Sequence, residues 1–220
     1  MPRMETAGAR AREARDVPKW LWEQVRTDPA RAPEHIALAA ADVHAPSAAR
    51  WIAERHGGRT RPPGAHARAA VRRHAHLARA AGAATGLGGW TTMALDLASL
   101  AWIQSRMVFF VAAAYGWDPR DPMRPAELLV LQGLYDDPYA ARAALDGTGR
   151  SIAASYVGSL ADRGDGALGR LVRMVGGHAG RRLGGKAIPG FASILNSVTN
   201  ARETRELGRR AIGFYGGRTA

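Results

Sequence analysis

GLGGWTTMALDLASLAWIQSRMVFFVAAAYG, residues 86–116, is the most apolar part of the chain, and its reading decides the fold. A helix that crosses a bilayer wants about 20 consecutive, largely apolar residues. Here Asp96 and Arg106 leave uncharged runs of only nine residues, 97–105, and eleven, 107–117. Each charge near a bilayer centre costs at least ~2.5 kcal/mol on insertion scales. A simple membrane span is therefore disfavoured. Wound as a helix, the stretch puts Asp96, Leu100, Ile103, Met107, Phe110 and Ala114 on one stripe. Leu97, Val108 and Tyr115 fall on a second side, and Leu95, Trp102 and Phe109 on a third. A helix apolar all round is buried. The expectation is a long central apolar helix over about 91–115 in a helical bundle, closed by Gly116 as its C-terminal glycine.

Outward from this stretch the pattern stays helical, with no sustained period of two and few β-branched residues. Towards the N-terminus, Asp16-Val17-Pro18 opens a short helix through Trp20, Trp22 and Val25. Pro33 opens a second, over Ile36 to Val43, and Pro46 to His56 reads as a third, stopped by Gly57-Gly58. The loop GGRTRPPG, residues 57–64, is the expected boundary between an Arg/Ala-rich leader of short helices, 1–60, and a helical domain, 61–220. Ala65 to Ala84 is a basic amphipathic helix carrying Arg68, Arg72, Arg73 and Arg79. After the proline-punctuated WDPRDPMRP, 117–125, two helices with proline in the first turn follow, over 125–135 and 138–146. Helices over 151–162, 166–186 and 189–215, the last broken near Asn200, complete an all-α chain.

Charge is the next signal. The net charge is +12, distributed as +7 over residues 1–80, −3 over 81–148 and +8 over 149–220. Of 31 basic residues only Lys19 and Lys186 are lysines. Arginine, alanine and glycine richness is also what high-G+C coding produces, so charge alone names no partner. The placement says more. Lys19, Trp20 and Trp22, with the basic helices around 68–79 (Arg72, Arg73) and 170–186 (Arg181, Arg182, Lys186), suit an anionic membrane surface. The alternative for the two tryptophans is that they anchor the leader onto the bundle. Nucleic acid is the less favoured partner, because no zinc finger, RRM core or helix-turn-helix pairing stands out. The opening MPRMETAGARAREARD has no apolar stretch and the chain has no cysteine. Cytoplasmic residence, peripheral to a membrane, is the expectation.

Chemistry is harder to find. GRRLGGKA, residues 180–187, nearly matches a P-loop, but Ala187 has no hydroxyl for Mg²⁺ and no strand precedes it. Gly176, Gly180 and Gly184 recur every four residues, a spacing that lets another helix approach closely. His66, His74 and His76 lack the i, i+4 spacing of helical zinc ligands and read as surface histidines. No metal site, cofactor or catalytic residue is expected. Asp96 has two readings. Near the first turn it gains from free amides and the helix dipole; desolvated, it needs a partner such as Arg72, Arg73 or Arg79 and marks a pocket. The pocket reading keeps an unrecognised hydrolase as the enzymatic alternative.

Taken together, the quoted stretch and its sequel resemble the EcsC protein family. The shared features are the glycine lead-in Gly86, Gly88, Gly89, then Asp96-Leu97, Arg106, and Tyr115-Gly116 before Asp118-Pro119. LGGKAIPGFASILNSVTNARETRELGRRAIGFY, 183–215, is similar to the family's closing pattern through Ile188-Pro189-Gly190, Asn200 and Tyr215. The resemblance covers roughly residues 65–215 and implies no catalytic residues. The family takes its name from a bacterial protein encoded beside the subunits of an ABC exporter, which implies an accessory role near a membrane, with transporter subunits as partners. Asp96, Arg106, Tyr115 and Asn200 are the candidate binding residues.

Overall fold

A computed structural model describes residues 17–28, 31–56, 61–85, 90–151 and 191–217. Side chains are described throughout these segments except at 26, 56, 82–85, 90–98 and 191–199. Among the described residues there are seven helices and no strand, so the fold is all-α. They are α1 (Lys19–Thr27), α2 (Ala32–His56), α3 (Pro63–Thr85), α4 (Trp90–Ala114), α5 (Arg124–Leu131), α6 (Pro138–Leu145) and α7 (Phe191–Gly216).

The helix α4 packs against α2, α3, α5 and α7. From Trp102 to Ala114 every residue but Gln104 is buried. It ends as its glycine predicts. Gly116 takes φ of 88°, a conformation that a Cβ would strain. Its N–H bonds the Ala113 carbonyl at 3.1 Å while the Trp117 N–H bonds Ala112 at 3.1 Å, which satisfies two of the carbonyls a helix end leaves open. No helix among the described residues is long and apolar enough to cross a membrane.

Two expected breaks are absent. The short helices expected before and after Pro46 are one helix of 25 residues, α2, with Pro46 inside it. An interior proline costs ~3 kcal/mol. That is opposed here by the burial of His44, Ala45 and Ala48 on either side of it, and the Ser47 hydroxyl donates to the His44 carbonyl at 2.9 Å. The break expected near Asn200 is likewise missing, and α7 runs unbroken through it. Asn200, Ala201 and Thr204 are buried, so packing outweighs the local preference of asparagine for turns. The expected helices over 151–162 and 166–186 lie outside the described residues.

Buried residues of α1 and α2, among them Leu21, Ala40, Ala48 and Trp51, belong to one core cluster with Val108 to Ala114, Leu128, Leu207 and Tyr215. The chain before residue 60 and the chain after it share that core.

Helices α3 and α7 pack closely. A Cβ on Gly208 would stand 2.6 and 2.7 Å from the two methyls of Val71. A Cβ on Gly64 would lie 3.4 Å from Tyr115 Oη, and one on Gly216 3.1 Å from the same oxygen. The start of α3 therefore meets the ends of α4 and α7, and α3 runs antiparallel to both. Gly208→Ala is expected to destabilise the fold by about 1–3 kcal/mol, because Val71 is stiff at χ1 and has no free rotamer to retreat into. Adding Val71→Ala should recover most of that loss. Urea unfolding of the two variants checks it; an unchanged midpoint for Gly208→Ala would contradict the close packing.

Candidate functional site

Among the described residues, two buried clusters and one arginine-rich surface bring together side chains that bear chemistry. The first cluster ties the 115–124 loop to α5 and α7. Arg124 and Glu127, one turn apart on α5 and each 3% exposed, form an ion pair. Arg124 also bonds Asp121 at 2.9 Å. Its guanidinium carbon lies 5.2 Å over the Trp117 ring and 5.6 Å from that of Tyr215. The buried Tyr215 hydroxyl donates to Glu127 at 3.0 Å, and the Trp117 indole N–H donates to the Tyr215 carbonyl at 3.2 Å. Burial alone would pull the Arg124 proton off more easily, but Asp121, Tyr215 and Glu127 outweigh it and hold the guanidinium above its ordinary pKa. Burial, then the Glu127 carboxylate, push the Tyr215 phenol far up. At neutral pH this is a charged pair closed by a neutral phenol. Every feature of it suits holding helices together.

The second cluster lies between α2, α3 and α4. His44 of α2 packs on Trp102 of α4 with ring centroids 4.3 Å apart. His74 of α3 lies 5.3 Å from Phe110, and the Arg106 guanidinium lies 5.0 Å over the same ring. His74 shares a 2.8 Å Nδ1 hydrogen bond with the Ala70 carbonyl, which assigns the proton to Nδ1. Among the described residues, neither His74 Nε2 nor Trp102 Nε1 has a hydrogen-bond partner. Burial, with Arg106 adding a like charge, pushes His74 down to about 3. Burial, then Arg106 and His74, hold His44 well below the usual histidine range. Both rings are neutral at physiological pH.

This corrects the surface reading of the histidines: His66 and His74 are buried and His76 alone of the three is exposed. His66 and His74 share the α3 face that carries Ala67, Ala70, Ala75 and Ala78, all buried. That alanine stripe was the available signal. Pairing with His44 and Trp102 was not readable, because it joins residues on three helices. Among the described residues no group of three His, Asp or Glu side chains converges as a metal site.

The other candidates fall on several elements. Arg106 is buried in the second cluster and Asn200 is buried on α7. Tyr115 is half-buried against the backbone of Gly216. Asp96 is the seventh residue of α4, past its first turn, and its side chain lies outside the described set. Lys19 and Trp20 are exposed at the start of α1, and Trp22 is half-buried. Arg72 and Arg73 are exposed on α3. Arg181, Arg182 and Lys186, with the near-P-loop 180–187 and the glycine repeat of 176–184, lie outside the described residues.

The surface is the third place. On α3 Arg68, Arg72, Arg73 and Arg79 are exposed, and Arg202, Arg205, Arg209 and Arg210 are exposed on α7. The second group was missed in the sequence, where the last helix drew attention to Asn200 and Tyr215 and not to its arginines.

Compared with known proteins, residues 63–219 match the sequence model of the EcsC protein family, well over half of the chain. No curated protein and no solved structure matches it.

Proposed function

The chain belongs to the EcsC protein family, and on that footing we propose that it is a non-enzymatic accessory protein at the cytoplasmic surface of a membrane. Anionic lipid holds it there, beside transporter subunits it assists. The observation that carries this reading is α3. From Pro63 to Thr85 the helix contains no carboxylate, and its four arginines are all exposed. Near an anionic leaflet each such cation contributes about 1 kcal/mol. Lys19 and Trp20, exposed together at the start of α1, add a cation and an interfacial aromatic. Within this reading α4 is the apolar centre of the bundle, supported by its contacts with four other helices and the burial of its second half.

Vesicle co-sedimentation tests the proposal. The protein is expected to pellet with phosphatidylglycerol-containing vesicles at physiological salt, and not with pure phosphatidylcholine. Binding should weaken as salt rises, since exposed charges are screened beyond about 8 Å at 0.15 M. Equal recovery with both lipids, or none with either, would overturn it.

A further inference from the structure

The exposed arginines of α3 and α7 are not scattered around two helices. At 3.6 residues per turn, Arg68, Arg72 and Arg79 fall within roughly 40° of one another on α3. They lie just beyond Val71, the residue packed on Gly208 of α7, and on the side away from His74, which is buried towards α4. On α7, Arg202, Arg205 and Arg209 fall within roughly 60° of one another, just beyond Gly208 and away from the buried Leu207 and Thr204. The two helices are antiparallel, which reverses the sense of rotation between them. Both triplets therefore flank the same outer seam, on the side away from α4. Arg68 and Arg79 are eleven residues apart, so the double row is roughly 16 Å long at ~1.5 Å per residue.

We infer that this α3–α7 seam is the face that lies on the membrane, its six arginines engaging the phosphates of anionic lipid headgroups. The inference rests on the membrane reading above and adds α7 to it. Exposed Glu206 stands beside the α7 row, one turn from Arg202, but six arginines outnumber it, and among the described residues none of the six forms an ion pair. A surface of this kind is stabilised by an external polyanion. The chain's own segment 152–190 is a poor candidate for that role, since it carries six basic residues and two acidic ones. A planar leaflet suits the site better than nucleic acid. No aromatic residue stands among the exposed positions of the seam to stack a base, and both helices are packed side by side rather than protruding as a groove reader would. Arginine also forks two N–H donors onto one phosphate, which lysine does not.

The test is vesicle affinity of the whole chain and of two triple variants matched in charge. Arg202→Gln/Arg205→Gln/Arg209→Gln strips the α7 row. Arg50→Gln/Arg120→Gln/Arg210→Gln removes three exposed arginines off the seam. On phosphatidylglycerol-containing vesicles the seam variant is expected to lose on the order of 100-fold in affinity, and the off-seam variant less than about fivefold. A circular dichroism melt verifies that each variant is folded, and Arg68→Gln/Arg72→Gln/Arg79→Gln should reproduce the loss from the α3 side. If the parent chain binds these vesicles and both variants lose affinity equally, only net charge is sensed and the seam is overturned while the membrane reading stands. If the parent does not bind them at all, the membrane reading fails and takes the seam with it. Binding to a DNA duplex in place of vesicles, lost in the seam variant, would reassign the face to nucleic acid.

Discussion

Glu127→Ala is expected to destabilise the protein by about 3–5 kcal/mol, the largest effect of any single substitution in the α5 cluster. The reason is what it leaves behind. Arg124 is 3% exposed and would keep Asp121, which is 39% exposed, as its carboxylate. The Tyr215 hydroxyl would lose its acceptor inside the core, and a buried donor left unmade costs the desolvation of that group. Glu127→Gln keeps the shape and one acceptor oxygen, so its loss should be smaller. Tyr215→Phe removes only the phenol and should cost about 1–2 kcal/mol. Urea unfolding at neutral pH gives all three. If Glu127→Ala were as stable as the parent, the cluster would not be what holds the 115–124 loop, α5 and α7 together.

Acid should unfold the protein earlier than its carboxylates alone would dictate. In the unfolded chain a histidine titrates near ~6.5. In the folded protein His74 is pushed down to about 3 and His44 well below the usual range, burial being the largest cause in each. Above about pH 6.5 both rings are neutral in either state, and they add no pH dependence. Below it the unfolded chain binds protons that the folded one refuses. Stability then falls by about 1.4 kcal/mol per pH unit for His74. His74 alone therefore removes about 2 kcal/mol between pH 6 and pH 4.5, and His44 adds a further loss of the same sign. The charged groups that act on these rings, Arg106 on both, His74 on His44 and Arg73 on His74, only add positive charge. Asp121 acts in a different window. Burial raises its pKa, but the Met123 N–H and Arg124 outweigh that and lower it. Its contribution is lost below about pH 4. Replacing His44 by Phe should lower the slope between pH 6 and 4.5. A slope unchanged by that variant would mean that His44 is protonated in the fold.

What the sequence disclosed follows the physics of locality. The all-α class, the end of α4 at Gly116 and the proline starts of α5 and α6 are local signals, and each is in place. Asp137 caps α6 with hydrogen bonds from the N–H groups of Tyr139 and Ala140, as its place before Pro138 invites. Failures came where tertiary burial overrode local preference. Pro46 and Asn200 are poor mid-helix residues, yet both sit within continuous helices because their neighbours are buried. His74 was misjudged for a related reason. It sits beside Arg72 and Arg73 in the sequence but on the opposite face, and only the alanine period separates the two environments. The α3–α7 seam was out of reach of any local reading, since its two rows are more than 120 residues apart in the chain and the helices that carry them meet by tertiary packing, Val71 against Gly208 among the contacts.

The most direct measurement of the central claim is which face of the protein meets lipid. The chain has no cysteine, so a single introduced one carries a fluorophore without ambiguity. His76→Cys places the label on the exposed side of α3. Tyr139→Cys places it at a position 80% exposed on α6, which packs on α5 and α2. With phosphatidylglycerol-containing vesicles that carry a headgroup quencher, the account predicts strong quenching at position 76 and little at position 139. Quenching at 139 with none at 76, or equal quenching at both, would contradict it.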